Sequence, residues 1–182
     1  MKKSILVLTG SPRKGGNSDS MADSFIEGAI KSGHSVIKYE TAIKNIKGCK
    51  ACDTCFSKGV ACSFQDDFNE LAPMLEFADV LVIVSPLYWS SFPAQLKAAI
   101  DKLYAFVIGG KCMKIRESLL LACGELNSKE AFDVMVKTYE ELVKYEKWTD
   151  IGRLIVPGVL NKGDIKNTNA LKKAKELGLN IK

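Results

Sequence analysis

Gly10-Ser11-Pro12-Arg13-Lys14-Gly15-Gly16-Asn17-Ser18 is the stretch that decides the fold. The apolar run Ile5-Leu6-Val7-Leu8 precedes it, and an amphipathic helical pattern follows. A buried strand, a glycine-bearing turn and a helix start therefore come in immediate succession. Such a junction gathers backbone N–H groups and the positive end of a helix dipole at one point, where an anion can sit. Gly15 and Gly16 permit close backbone approach, Ser11, Asn17 and Ser18 offer short polar side chains, and Arg13 carries a charge suited to phosphate oxygens. Neither G-x-x-x-x-G-K-[ST] nor G-x-G-x-x-G is present, which excludes the two commonest nucleotide loops. An ordinary strand-to-helix turn closed by a serine cap fits the same residues.

Outward from this stretch, strands and helices alternate. Ser4–Thr9 reads as a first strand, apolar enough to be covered on both faces. Ala22, Phe25, Ile26, Ala29 and Ile30 form the stripe of a first helix. Ser35–Glu40 is a more polar, edge-type strand, and Asp79–Ser85 a wholly apolar one. Between them lie a cysteine-bearing loop over residues 43–67 and a short helix marked by Leu71, Met74, Leu75 and Ala78. Asp66 and Asp67 stand where caps for that helix belong. Pro93 opens a third helix with Leu96, Ala99, Ile100 and Leu103 inward. Glu117–Ala122 and Gly152–Val156 read as the last strands, with helices around Ala131–Val143 and Leu171–Leu177. This alternation predicts a three-layer α/β domain, and right-handed crossovers narrow it to a doubly wound parallel sheet. No repeat or linker divides residues 1–182, so a single domain is expected.

The composition sets outer bounds. A hydrophobic fraction of 47% and a charged fraction of 26% belong to a globular chain, not a disordered one. The net charge of +5 comes from lysines spread along the sequence, which favours a solvated surface over a nucleic-acid groove. No apolar run reaches membrane-spanning length, and the run after Met1-Lys2-Lys3 is too short for a signal peptide. Six cysteines without an export signal point to reduced thiols or metal ligands in the cytoplasm. Cys112 reads as a small packing residue, and His34, the one histidine, as solvated in a turn. With a single histidine, neither a His-based triad nor a multi-histidine metal site can be built.

In open parallel sheets ligands bind beyond the carboxyl ends of the strands. Three loops have that position: Gly10–Ser18, Pro86–Phe92, and the turn Cys123-Gly124-Glu125. The middle loop carries Tyr88 and Trp89, rings that suit either a planar ligand or a subunit interface. Two separated motifs then agree in order and spacing. They are Gly10-Ser11-Pro12-Arg13 with Gly16-Asn17-Ser18, and Ser85-Pro86-Leu87-Tyr88-Trp89 with Pro93-Ala94-Gln95-Leu96-Lys97 and Ile100-Asp101-Lys102. Together they resemble the flavodoxin-fold NAD(P)H-dependent FMN reductases, over most of residues 4–125. The resemblance implies a five-stranded flavodoxin-like sheet in the order 2-1-3-4-5. It implies that Ser11, Arg13, Gly16, Asn17 and Ser18 hold the FMN phosphate, and that Pro86, Leu87, Tyr88, Trp89 and Ser90, with Cys123, Gly124 and Glu125, flank the isoalloxazine.

The remaining motif is Cys49-x2-Cys52-x2-Cys55-x6-Cys62. Three thiolates at two-residue intervals with a fourth nearby can wrap one iron–sulfur cluster, and bacterial ferredoxin runs begin with the same spacing. Zinc suits four cysteines as well, and free thiols are a third reading. The pattern resembles the iron–sulfur flavoproteins, a branch of the same family with a [4Fe–4S] cluster beside FMN. The expected function is FMN-dependent NAD(P)H oxidation, with electrons passed to a small-molecule or protein acceptor. The flavin carries the chemistry and no side chain acts as nucleophile. The alternatives are an electron carrier fed by ferredoxin and a non-catalytic FMN-binding redox module. The family further implies a homodimer or homotetramer.

Overall fold

A computed structural model describes all residues, Met1–Lys182. Five parallel strands, β1 (Ser4–Thr9), β2 (Ser35–Glu40), β3 (Val80–Pro86), β4 (Glu117–Cys123) and β5 (Thr149–Val156), form one sheet in the order β2-β1-β3-β4-β5. Six helices surround it: α1 (Asn17–Lys31), α2 (Phe68–Phe77), α3 (Ala94–Asp101), α4 (Tyr104–Ile108), α5 (Asp133–Glu146) and α6 (Ala170–Leu179). This is the flavodoxin-like doubly wound arrangement expected from the alternation. No helix is long and apolar enough to cross a membrane.

The period of two in each strand divides the core. Ile5, Val7, Val80, Val82, Val84, Leu119 and Leu121 face one layer with Met21, Ala22 and Phe25 of α1 and Ala170 and Ala174 of α6. Leu6, Leu8, Leu81, Ile83, Leu120 and Ala122 face the other, with Phe68 and Leu75 of α2, Leu96 of α3 and Tyr139 of α5. At roughly 1.5–3 kcal/mol for each fully buried large side chain, these two clusters dominate the stability of the sheet. Helices α1 and α6 cross so closely that a Cβ on Gly28 would lie 2.1 Å from the Lys175 carbonyl, and one on Gly178 2.2 Å from the Phe25 carbonyl.

Several sequence expectations are corrected. The α1 stripe runs through Met21, Ala22, Phe25 and Ala29, and Ile30 is exposed because α6 crosses on the glycine side. β5 begins at Thr149, three residues before the alternation becomes visible, and its pairing with β4 shifts register at Ser118/Leu119. The α3 pattern breaks at Lys102, giving the separate short helix α4. His34 is buried, not solvated. Its Nδ1 accepts the Lys3 N–H at 3.2 Å, which leaves Nε2–H to donate to the Ile181 carbonyl at 3.1 Å, so it joins both chain ends. Cys112 is exposed, not a residue of the core.

Candidate functional site

The sheet register brings three strand ends level. Thr9 pairs with Val84, and Pro86 with Cys123, so the loops after β1, β3 and β4 leave together. Hydrogen bonds continue beyond the strands: Gly10 N–H donates to the Val84 carbonyl at 2.9 Å, Leu87 N–H to Cys123 at 2.8 Å, and Val159 N–H to Gly124 at 2.9 Å. Between these loops opens a cleft of about 560 Å³, within the range of cofactor pockets. Ser11, Arg13, Gly16, Asn17 and Ser18 lie at one part of its wall. Pro86, Leu87, Tyr88, Trp89, Ser90, Cys123, Gly124 and Glu125 complete it. All thirteen residues singled out in the sequence therefore share one cavity. Leu126, Val159 and Leu160 line it too, and no motif had announced them.

The loop before α1 is shaped for an anion. Gly15 sits at φ +67°, where a side chain would be strained, and the turn closes as Gly16 N–H donates to the Arg13 carbonyl at 2.9 Å. Gly16 is the N-cap and supplies no side chain, so the first-turn N–H groups of Asn17, Ser18 and Asp19 have no protein acceptor. The Asp19 carboxylate accepts the Gly15 N–H and the Lys38 ammonium, each at 2.6 Å. Burial would raise its pKa, but the Lys38 ammonium and the Gly15 N–H outweigh that and hold it below the usual value. Its charge is thus neutralised within the fold. The Asn17 side chain turns away from the opening: Nδ2 donates to the Asn161 carbonyl at 2.9 Å, and Oδ1 accepts N–H groups of Gly163 and Ile165. Asn17 presents its backbone N–H to the cleft region and uses its amide to fasten the loop after β5.

At the aromatic loop, Tyr88 and Ser91 exchange both N–H···O bonds at 2.9 Å, closing a two-residue turn. Its central residues, Trp89 and Ser90, both take left-handed backbone angles, φ 47° and 61°, and the Trp89 ring is fully exposed. Left-handed geometry costs a non-glycine residue roughly 1–3 kcal/mol. A bulky ring held this way, with nothing in its own chain to pack on, is positioned for something outside the chain. In the same cleft, burial pushes the Cys123 thiol up to about 12, against the lowering effect of the Ser18 hydroxyl. This thiol stays neutral and unreactive.

A second cleft, about 140 Å³, shares no lining residue with the first. Cys49, Cys52, Cys55 and Cys62 all line it. Its two ends are tied down by Asp67, which accepts the Asn45 N–H at 2.7 Å, and by Asp66. Asp66 bonds the N–H groups of Phe68 and Lys47 and pairs with the buried Lys102. It is Asp66, not Asp67, whose side chain holds the start of α2. Cys62 is fixed by Asn69, whose side chain bonds both its N–H and its carbonyl, and its sulfur receives the Lys102 ammonium at 3.6 Å. Left-handed Ala51 and Asp53 turn the arm that carries Cys49 and Cys52. Thr54 holds the Cys52 thiol below its usual pKa, whereas burial and the neighbouring thiols raise Cys55. Four soft sulfur donors in one cleft have the chemistry of an iron–sulfur or zinc site. In the side-chain positions seen here, no three of them converge closely enough to hold a metal ion. Cys49 and Cys52 are exposed, so their rotation is unobstructed by packing.

The family described as NADPH-dependent FMN reductase matches residues 3–136. An iron–sulfur flavoprotein of Archaeoglobus fulgidus is 30% identical over 178 residues, covering 96% of this chain and 76% of the relative. One from Methanosarcina thermophila is 32% identical over 98 residues, 54% of this chain and 51% of that protein. Among solved structures, an NAD(P)H:quinone oxidoreductase from Methanothermobacter marburgensis superposes with a TM-score of 0.81 at 19% identity, covering 99% of this chain and 96% of that one. The last of these likenesses bears on the fold alone.

Proposed function

The chain belongs to the NADPH-dependent FMN reductase family, and on that premise we propose that it oxidises NAD(P)H through FMN bound in the larger cleft. The observation that carries this reading is the convergence of a phosphate-type loop and an aromatic turn on one cavity of cofactor size. Bound FMN supplies the hydride acceptance and electron delivery. The residues around it bind, orient and shield. Ser11, Arg13 and Ser18 side chains, with the N–H groups of Asn17, Ser18 and Asp19 that have no protein acceptor, would hold the phosphate against the Gly16 backbone. Pro86, Leu87, Tyr88, Trp89 and Ser90, with Cys123, Gly124 and Glu125, would flank the ring. Cys123 stays protonated at neutral pH, so it adds an apolar surface beside the ring and no nucleophile. No side chain is assigned a catalytic bond.

A second reading is supported by the four cysteines of the smaller cleft and by the likeness to proteins described as iron–sulfur flavoproteins. Here Cys49, Cys52, Cys55 and Cys62 hold a [4Fe–4S] cluster, and the protein exchanges single electrons with a carrier such as ferredoxin. Zinc or free thiols in the same cleft leave the first reading intact. The fully exposed Trp89 fits a homodimer or homotetramer in which a neighbouring copy completes the rim of the flavin cleft. The test of both readings is an anaerobic visible spectrum with flavin, iron, sulfide and zinc analysis. FMN without iron selects the simple reductase. FMN with ~4 iron and ~4 sulfide per chain selects the iron–sulfur branch. Absence of a bindable flavin overturns both.

A further inference from the structure

We infer that Lys102 is a positioning residue of the four-cysteine cleft, whose buried ammonium donates to the Cys62 sulfur and tunes the centre held there. The inference rests on the reading that Cys49, Cys52, Cys55 and Cys62 hold an iron–sulfur cluster. Lys102 stands at the break between α3 and α4, among the core residues Leu96, Ala99, Leu103 and Phe106. It is only 4% exposed, and it lines the cysteine cleft. A lysine is almost never buried so deeply unless it is paired. The fold gives no reason for one here, because an apolar residue of similar size would avoid the desolvation of a charge.

The ammonium is committed to the cysteine loop. It donates to the Asp66 carboxylate, whose side chain is also buried, and to the Cys62 sulfur at 3.6 Å. The Phe68 ring lies beside it, its centroid 5.6 Å away. Asp66 is itself held by the N–H groups of Lys47 and Phe68, at 2.9 and 3.0 Å, which fixes the ammonium in turn. Cys62 is held as firmly. Asn69 accepts its N–H at 2.7 Å and donates to its carbonyl at 2.9 Å. Donor and sulfur are therefore placed by the fold, whereas Cys49 and Cys52 lie exposed on the turned arm. Cys62 is the anchored member of the set, and Lys102 is what its sulfur meets.

An N–H···S bond draws electron density from a ligating sulfur and favours the reduced, more negative centre, so it raises the reduction potential. The Lys102–Asp66 pair is neutral as a whole, so this effect belongs to the contact and not to net charge. Partners that orient a metal ligand in this way typically carry about 10–100-fold in metal affinity.

The test compares the full chain of wild type, Lys102→Met with Asp66→Asn, and Asp66→Asn alone. Three readouts are taken: FMN stoichiometry, Co(II) titration of the metal-free chain by its thiolate absorption, and an EPR-monitored redox titration after anaerobic iron–sulfur reconstitution. The double variant leaves no unpaired buried charge, so it should fold and load FMN. It should bind Co(II) about 10–100-fold more weakly and hold its cluster at a more negative potential. D66N keeps the donor and removes its counter-charge, so its potential should move the other way. A wild-type potential in the double variant overturns the inference. Weaker Co(II) binding with that wild-type potential also overturns it, and makes the pair an anchor of the loop. If the double variant fails to load FMN, the sign of the D66N shift decides: positive supports the inference, and zero or negative overturns it. A wild type that loads FMN and takes up no iron overturns the cluster reading together with the inference.

Discussion

Replacing Trp89 by glycine separates what the aromatic turn does for the fold from what it does for a ligand. In the free chain the indole is fully exposed, so its removal forfeits no buried area. Its backbone sits at φ 47°, and glycine relieves a left-handed cost of roughly 1–2 kcal/mol. Against this, glycine adds about 0.5–1 kcal/mol of unfolded-state entropy. The net change in stability of the flavin-free protein should lie between about 0 and 1.5 kcal/mol, on the stabilising side. Flavin binding should move the other way, because an aromatic contact with a planar ring is worth about 0.5–1.5 kcal/mol beyond area burial, or roughly two- to twelvefold in Kd. Urea unfolding of the flavin-free chain and fluorescence titration with FMN give the two numbers independently. A loss of more than about 2 kcal/mol in stability would mean that Trp89 packs on its own chain or a second copy. Unchanged FMN affinity with a change in particle mass would make it an interface residue only.

Other perturbations follow from the same geometry. Arg13→Ala with Ser18→Ala should weaken FMN binding by about 2–4 kcal/mol while sparing riboflavin, measured by the same titration. Asp19 has a lowered pKa in the folded state, so the stability it confers is present above its unfolded value of 3.8 and is lost as pH falls through the folded value. Asp19→Asn should therefore lose about 2–3 kcal/mol at neutral pH and show a flatter acid limb in urea unfolding run from pH 7 downward. Cys52→Ser should lower iron content after anaerobic reconstitution and leave FMN stoichiometry alone, because the two clefts share no residue. Iron retained at the wild-type level would remove Cys52 from the ligand set.

The legible parts of this protein were those written in consecutive residues. Gly10–Ser18 and Pro86–Ser90 each carry their turn chemistry locally, and parallel strand order places them at one sheet end. The fold and the three loops at one sheet end could therefore be named before any coordinates, and the resemblance to the FMN reductases implied the thirteen residues within them. What escaped depends on contacts between distant parts of the chain. His34 reads as a turn residue until Ile181, 147 positions away, covers it. Asn17 looks like a phosphate ligand by side chain, yet its amide is committed to residues 161–165. The buried Lys102–Asp66 pair joins a helix end to the cysteine loop across 36 positions, and neither residue announces burial. Ile30 follows the helical period but falls outside the stripe, because the close α1/α6 crossing at Gly28 and Gly178 sets which face is covered.

On the proposed reading, the larger cleft holds FMN and takes its electrons from a nicotinamide. It is tested most directly by mixing FMN-loaded protein anaerobically with NADPH, and separately with NADH, and following the visible flavin band. At least one of the two should bleach the band to the extent of one flavin per chain, with release of the oxidised nicotinamide. A flavin that stays oxidised with both, yet is reduced by ferredoxin, would contradict it.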